Sequence, residues 1–170
     1  MMDHKRGRRK QTAKGPVDDF NQKIVDLARV TRVMAGGKRM RFRAAVVIGN
    51  KKGQIGIGVG KGADVAMAVD KANRQARKNL ITIPIVNNTI PHTIEVKFSS
   101  AKILMKPAPP GRGVIAGGPV RMVLELSGIK NIIAKMKGSN NKISNINAVV
   151  KGLSLLRTKE TIQQMRQYKQ

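Results

Sequence analysis

The chain has 170 residues, no cysteine, and 34 Lys and Arg against 9 Asp and Glu, a formal net charge of +25. The missing thiols exclude disulfides, thiolate zinc sites and cysteine nucleophiles, and the charge calls for a polyanionic partner, since like charges at this density oppose compaction. A hydrophobic fraction of 41% still argues for a packed core, in one domain or, as preferred here, two small ones.

Residues 1–17 form a basic arm carrying Lys5, Arg6, Arg8, Arg9, Lys10 and Lys14, with too little apolar surface to offset the entropy of ordering. They lack the apolar stretch of a secretory signal. A first unit is expected over 18–83. Its opening, Asp18 to Met34, is ambiguous: Phe20, Ile24, Leu27 and Ala28 have helical spacing, while Val25, Leu27, Thr31 and Val33 have strand spacing. We expect a short helical start followed by a strand. Ala35-Gly36-Gly37-Lys38-Arg39 then reads as a hairpin loop projecting two cations, with paired glycines free to adopt positive φ. Phe42, Ala44, Val46 and Ile48 alternate with Arg41, Arg43, Ala45 and Val47, the period of a strand. After a turn at Gly49-Asn50-Lys51-Lys52-Gly53, residues Gln54 to Gly60 place Ile55, Ile57 and Val59 on one face. The other face carries only Gly56, Gly58 and Gly60, bare backbone that a helix or a nucleic acid could approach closely.

Asp64 to Leu80 reads as a helix capped by Asp64. At about 100° per residue, Val65, Val69, Ala72, Ala76 and Leu80 face one side, and Lys71, Arg74, Arg77 and Lys78 the other. Those cations are either solvated surface or phosphate contacts, and the surrounding charge favours phosphate. Ile81 to Val86, interrupted by Pro84 and followed by Pro91, reads as linker and edge strand. A second unit over 84–157 should hold strands at His92 to Phe98 and Lys102 to Lys106, then a Pro- and Gly-rich loop over Pro107 to Gly113. A helix entered at Pro119, with Val120, Val123 and Leu124 buried, ends at Gly128. A strand over Asn131 to Met136 follows, and a last helix carries Ile146, Val149, Val150 and Leu153, with Gly152 unfavourable inside it. Residues 158–170 are expected to be a frayed polar tail.

Two segments match the spaced glycines of a dinucleotide loop, Gly58 to Ala63 and Gly111 to Ala116. Such a loop also needs an acidic residue about 20 positions on to hold the ribose, and Asn79 to Ile94 contains none. The phosphate-loop pattern fails too, because Gly62 follows Gly60-Lys61 where a metal-binding Ser or Thr belongs. His4 and His92 stand alone, the carboxylates are scattered, and no metal-ligand spacing occurs. We therefore expect no enzyme, no cofactor and no metal. The longest aliphatic run, Ala44 to Ile48, is far short of the roughly 20 residues a spanning helix needs, and no membrane partner is expected. The chain reads as cytoplasmic.

Aromatic residues separate the classes of nucleic-acid binder. Phe20, Phe42, Phe98 and Tyr168 are too few to act as stacking platforms for single strands. Cations on a helix face, a hairpin and an arm suit phosphate contacts to folded RNA. The candidate RNA-binding residues are the six arm cations named above, with Arg29, Arg32, Gly36, Gly37, Lys38, Arg39, Arg41, Arg43, Lys51, Lys52, Lys61, Lys71, Arg74, Arg77 and Lys78.

Four segments in order carry a resemblance: Gly36-Gly37-Lys38-Arg39 through Gly49; Gly56 to Lys61; Gly113 to Arg121 with Val123-Leu124-Glu125; and Asn131 to Lys135 with Gly138-Ser139. Together they closely resemble the bacterial small-subunit ribosomal protein S five family, collinearly from about Phe20 to Leu156. The resemblance implies two α+β domains. The N-terminal one would be similar to the double-stranded-RNA-binding fold, and the C-terminal one to the second domain of that family. It also implies binding to small-subunit ribosomal RNA and a place in the ribosome where head meets body, near the mRNA entry path. Neighbouring small-subunit proteins four and eight would be partners, and the accuracy of decoding would depend on that junction. By the same resemblance the hairpin at Gly36 and Gly37 reaches into RNA, and the segment with Gly113 and Arg121 lies against protein four. Departures from the family pattern are Ala35, Met40 and Arg41 in the hairpin, Lys142 in place of a common Pro, and the ending Thr158 to Gln170.

Overall fold

The computed structural model describes residues 20–167. Three strands and a helix open it. β1 (Asn21–Met34), β2 (Gly37–Gly49) and β3 (Gln54–Gly62) run antiparallel, α1 (Val65–Lys78) follows, and β4 (Leu80–Thr82) closes the sheet beside β3. The second unit holds β5 (Ile94–Phe98), β6 (Ala101–Pro107), β7 (Val114–Ile115), α2 (Gly118–Ser127), β8 (Ile132–Met136) and α3 (Lys142–Ser154). Its sheet has the order β5-β6-β8-β7, with β7 parallel to β8 and α2 as the crossover between them. A helix α4 (Lys159–Gln167) ends the described chain.

Side-chain alternation gives the first sheet two different faces. Ala44, Val46 and Ile48 of β2 pair with Gly60, Gly58 and Gly56 of β3, and α1 lies on this face through Ala68, Ala72 and Ala76, all fully buried. The helix comes so close that a Cβ on Gly58 would collide with the Ala72 carbonyl oxygen, and one on Gly56 with that of Ala76. The bare glycine face is therefore occupied by α1. This corrects the expected helix, which stops at Lys78 so that Leu80 belongs to β4, and its packing stripe, for Val65 remains 36% exposed. A helix seated on backbone must meet it with its smallest side chains.

The opposite face carries Val25, Ala45, Val47, Ile55 and Ile57, which share one core with Val120, Val123 and Leu124 of α2 and Ile146, Val149 and Leu153 of α3. Ile103, Met105, Ile132 and Ala134 of the second sheet close that core from below. The molecule is thus four layers deep: α1, the first sheet, α2 with α3, and the second sheet. Gly152, unfavourable in an isolated helix, sits where a Cβ would meet Met105 and Val96 at 2.5 and 3.2 Å.

Three local expectations change. The start of the first unit is strand throughout, because a bulge between Ile24 and Asp26 inserts a residue. Ile24 and Leu27 then share a face at a spacing of three, which imitates a helix. The two-residue strand β7 was not anticipated, and the expected frayed tail carries α4, whose first turn is supported by Thr158 Oγ1 accepting from the Thr161 N–H at 3.3 Å.

Candidate nucleic-acid interface

The β1–β2 hairpin outgrows its sheet. β3 reaches only as far as the pairing of Phe42 with Gly62, whereas β1 and β2 stay paired out to Met34 and Gly37. At about 3.4 Å per residue the two-stranded ribbon projects roughly 17 Å past its neighbour. Ala35 and Gly36 make the two-residue turn, and Gly37 adopts φ +132°, which a side chain would oppose. No heavy atom lies within 4 Å of where a Cβ on Gly36 would be.

Register decides which cations act together. Arg32 stands opposite Arg39, Val30 opposite Arg41, Ala28 opposite Arg43, and Arg43 opposite Lys61. Arg32, Arg39, Arg41, Arg43 and Lys61 accordingly share one face, and all but Arg43 line a 300 Å³ cleft with Val30, Thr31 and Met34. Arg29 and Lys38 lie on the reverse face, opposite Phe42 and Val33. A smaller cleft of 240 Å³ joins Arg39, Arg41 and Lys61 to Lys71 of α1. Like charges directly opposite on a ribbon destabilise it, so the Arg32–Arg39 pair is a local cost that an anion would reverse. Val33, Met34 and Met40 add exposed apolar surface at 73%, 49% and 50%.

The remaining candidates divide. Arg74, Arg77 and Lys78 are exposed on α1. Lys51 and Lys52 occupy the β2–β3 turn, the far end of β2 from the hairpin tip, a separation of about 40 Å along the strand. Arg43 is partly committed, since its Nη2 donates to Asp26 Oδ2 at 3.2 Å. The six arm cations from Lys5 to Lys14 lie outside the described residues. Gly113 opens β7 with φ +73° and donates its N–H to Asn131 Oδ1 at 3.1 Å. Arg121 is exposed on α2 and bonds Glu125 at 2.8 Å.

Two carboxylates that the sequence did not mark as site residues tie the units together. Asp26 of β1 accepts from Lys142 at 3.1 Å as well as from Arg43, and Glu125 of α2 accepts from Lys23 at 2.8 Å as well as from Arg121. The bond from Lys142, aided by Arg43 and opposed by burial, holds the Asp26 carboxyl below its usual 3.8. Lys23, then Arg121, holds Glu125 below its usual 4.5. No local pattern could have revealed these links, since the partners are 116 and 102 residues apart. Lys142, a departure from the family pattern, thus has a structural partner.

Of the two dinucleotide-like segments, Gly58 to Ala63 is filled by the chain itself, because added Cβ atoms on Gly58, Gly60 and Gly62 would meet the backbone of α1, whereas Gly111 and Gly113 have no heavy atom within 4 Å of an added Cβ. Among the described residues no three His, Asp or Glu side chains gather as metal ligands would, and no helix is long and apolar enough to cross a membrane.

Two α+β units sharing a core and presenting a cationic ribbon define a structural protein of the nucleic-acid-binding kind. The family model described as ribosomal protein S5, N-terminal domain, matches residues 20–84, and that of ribosomal protein S5, C-terminal domain, matches residues 96–166. The small ribosomal subunit protein uS5c of Pyropia yezoensis is 50% identical over 153 residues, 88% of each chain. The small ribosomal subunit protein uS5 of Trichormus variabilis is 49% identical over 154 residues, 89% of this chain and 88% of the relative. That of Thermus thermophilus is 46% identical over 151 residues, 89% of this chain and 93% of the relative. The chain belongs to the ribosomal protein S5 family: it is a structural constituent of the small ribosomal subunit and not an enzyme.

Proposed function

We propose that this chain binds small-subunit ribosomal RNA through the hairpin ribbon, the outer face of α1 and the β2–β3 turn, and so steadies the head of the subunit against its body. The observation that carries the reading is the ribbon face, where Arg32 and Arg39 oppose one another in register and share a cleft with Arg41 and Lys61. Such a face is unfavourable alone and favourable against phosphate. Lys38 and Arg29 on the reverse face, and Lys71, Arg74, Arg77 and Lys78 on α1, extend the contact around the ribbon. Residues 18–83 and 84–157 act as the two working units, with the 1–17 basic arm and the 158–170 polar tail flanking them.

In this reading the hairpin serves the accuracy of decoding beside the mRNA entry path, and the segment with Gly113 and Arg121 meets neighbouring protein four, with protein eight also adjacent. The test is assembly of small subunits with a chain carrying R32Q, R39Q and R41Q. The variant subunits should form, yet stop-codon readthrough in a translation assay should change severalfold. Readthrough identical to that of the parent would overturn the role in accuracy.

A further inference from the structure

Three methionines stand in the clefts of the cationic ribbon. Met34 lies two residues beyond Arg32 in β1, hence on the arginine face, and lines the 300 Å³ cleft with Arg32, Arg39, Arg41 and Lys61. Met40 alternates to the other face of β2, the one on which α1 lies, and there joins Met67 of α1 in the 240 Å³ cleft with Arg39, Arg41, Lys61 and Lys71. Among the described residues, no carboxylate lines either cleft. Met34 and Met40 are about half exposed, as is Met67 at 48%, whereas Met105 is fully buried and Met122 packs partly buried against the shared core. Met67 is not needed to seat its helix, since α1 packs through Ala68, Ala72 and Ala76. Met136, 37% exposed, lies elsewhere, at the end of β8 beside Gly117.

An open thioether is converted by peroxide to a sulfoxide. The sulfur lone pair attacks one peroxide oxygen, and an S–O bond forms as the O–O bond breaks. The departing hydroxide takes up the proton of the transferred oxygen and leaves as water. Sulfur loses two electrons and the peroxide gains them. A flexible apolar side chain thereby becomes polar, and its new oxygen accepts hydrogen bonds. Arg32, Arg39, Arg41, Lys61 and Lys71 are donors only. A sulfoxide at position 34, 40 or 67 therefore finds donors within its own cleft and engages hydrogen bonds that phosphate would otherwise receive. The charge of the ribbon is unchanged, yet its donors are turned inward.

We propose that Met34, Met40 and Met67 form a reversible oxidation site, at which peroxide converts the thioethers to sulfoxides that engage the neighbouring cations and lower the affinity of the free chain for RNA. The effect on RNA rests on the RNA-binding reading above; the oxidation itself does not. RNA seated on the ribbon would cover the same three thioethers, so oxidation selects chains that have not yet assembled. In the test, the full chain is treated with limiting hydrogen peroxide and each methionine is followed by peptide mass spectrometry. Binding to full-length small-subunit ribosomal RNA is measured before oxidation, after it, and after treatment with methionine sulfoxide reductases for both sulfoxide epimers. The chains are the parent, M136L, and M34L/M40L/M67L, which keeps apolar side chains of similar volume, each compared with its own unoxidised form. Met34, Met40 and Met67 should gain oxygen before Met122 and Met105. The parent and M136L should lose affinity roughly tenfold, the equivalent of about one charge-assisted hydrogen bond to phosphate, and regain it on reduction. M34L/M40L/M67L should hold its affinity throughout. An oxidised parent that binds as before, or a triple Leu variant that weakens as much as the parent, would overturn the oxidation site and leave the RNA reading standing. So would a lower urea midpoint in the oxidised parent, which would put the loss in the fold rather than in the clefts. An unoxidised parent that fails to bind RNA would overturn the RNA reading, and with it the consequence of oxidation.

Discussion

The two faces of the first sheet hold their helices by opposite means. On one, Gly56, Gly58 and Gly60 let Ala68, Ala72 and Ala76 bring α1 into contact with the backbone. On the other, Val47, Ile55 and Ile57 interleave with Val120, Val123, Leu124 and Ile146 in a core that both units share. The first face has no room for an added atom; the second depends on every atom it has. The difference shows how one small sheet can carry a thin cationic helix outward and still anchor a second domain.

Substitutions break this comparison in opposite senses. Leu124→Ala removes a fully buried side chain from the shared core and should cost about 2–5 kcal/mol in urea unfolding. Because that core spans both units, unfolding should remain a single transition; two separated transitions would contradict a shared core. Gly58→Ala, which adds one methyl group against the Ala72 carbonyl, should cost about 1–3 kcal/mol. The same change at Gly36, where the space is open, should leave unfolding within about 0.5 kcal/mol of the parent. Equal costs at positions 58 and 36 would refute the close packing of α1.

The polar links at the seam should contribute least. Both carboxyls are held below their usual values, so their stabilisation is present above about pH 4.5 and is lost as pH falls through the folded values, below 3.8 for Asp26 and below 4.5 for Glu125. Urea midpoints should therefore be level from neutral pH down to about 5 and then decline. Lys142→Ala frees only one partner of Asp26, and the lysine side chain is 53% exposed. It should cost about 0.2–1 kcal/mol, measured as a shift in urea midpoint that shrinks once Asp26 is protonated.

Much of this was legible in the sequence because it is local. Alternation in Phe42 to Ile48, the positive φ of Gly37 beside the hairpin turn, though not of Gly36, and Pro119 and Gly128 at the ends of α2 all act within a few residues. What failed did so for physical reasons. The bulge at Val25 gave β1 a helical spacing, and the glycine row assigned the packing face of α1 to alanines, although Val65 carries more apolar surface. The candidate cations of the proposed site could be listed from the sequence. Their grouping could not: only register sets Arg32 against Arg39, and only the fold sends Lys51 to the far end of β2, away from the ribbon. The links that Asp26 and Glu125 make across the seam had no local signal at all, their partners being 116 and 102 residues away.

The central claim is that the cations of this chain are held in place for phosphate, and the affinity of the intact chain for small-subunit ribosomal RNA as a function of salt tests it most directly. If about six to ten phosphates are engaged, affinity should fall roughly a thousandfold or more between 50 and 200 mM salt. An affinity that stays level across that range would contradict the account.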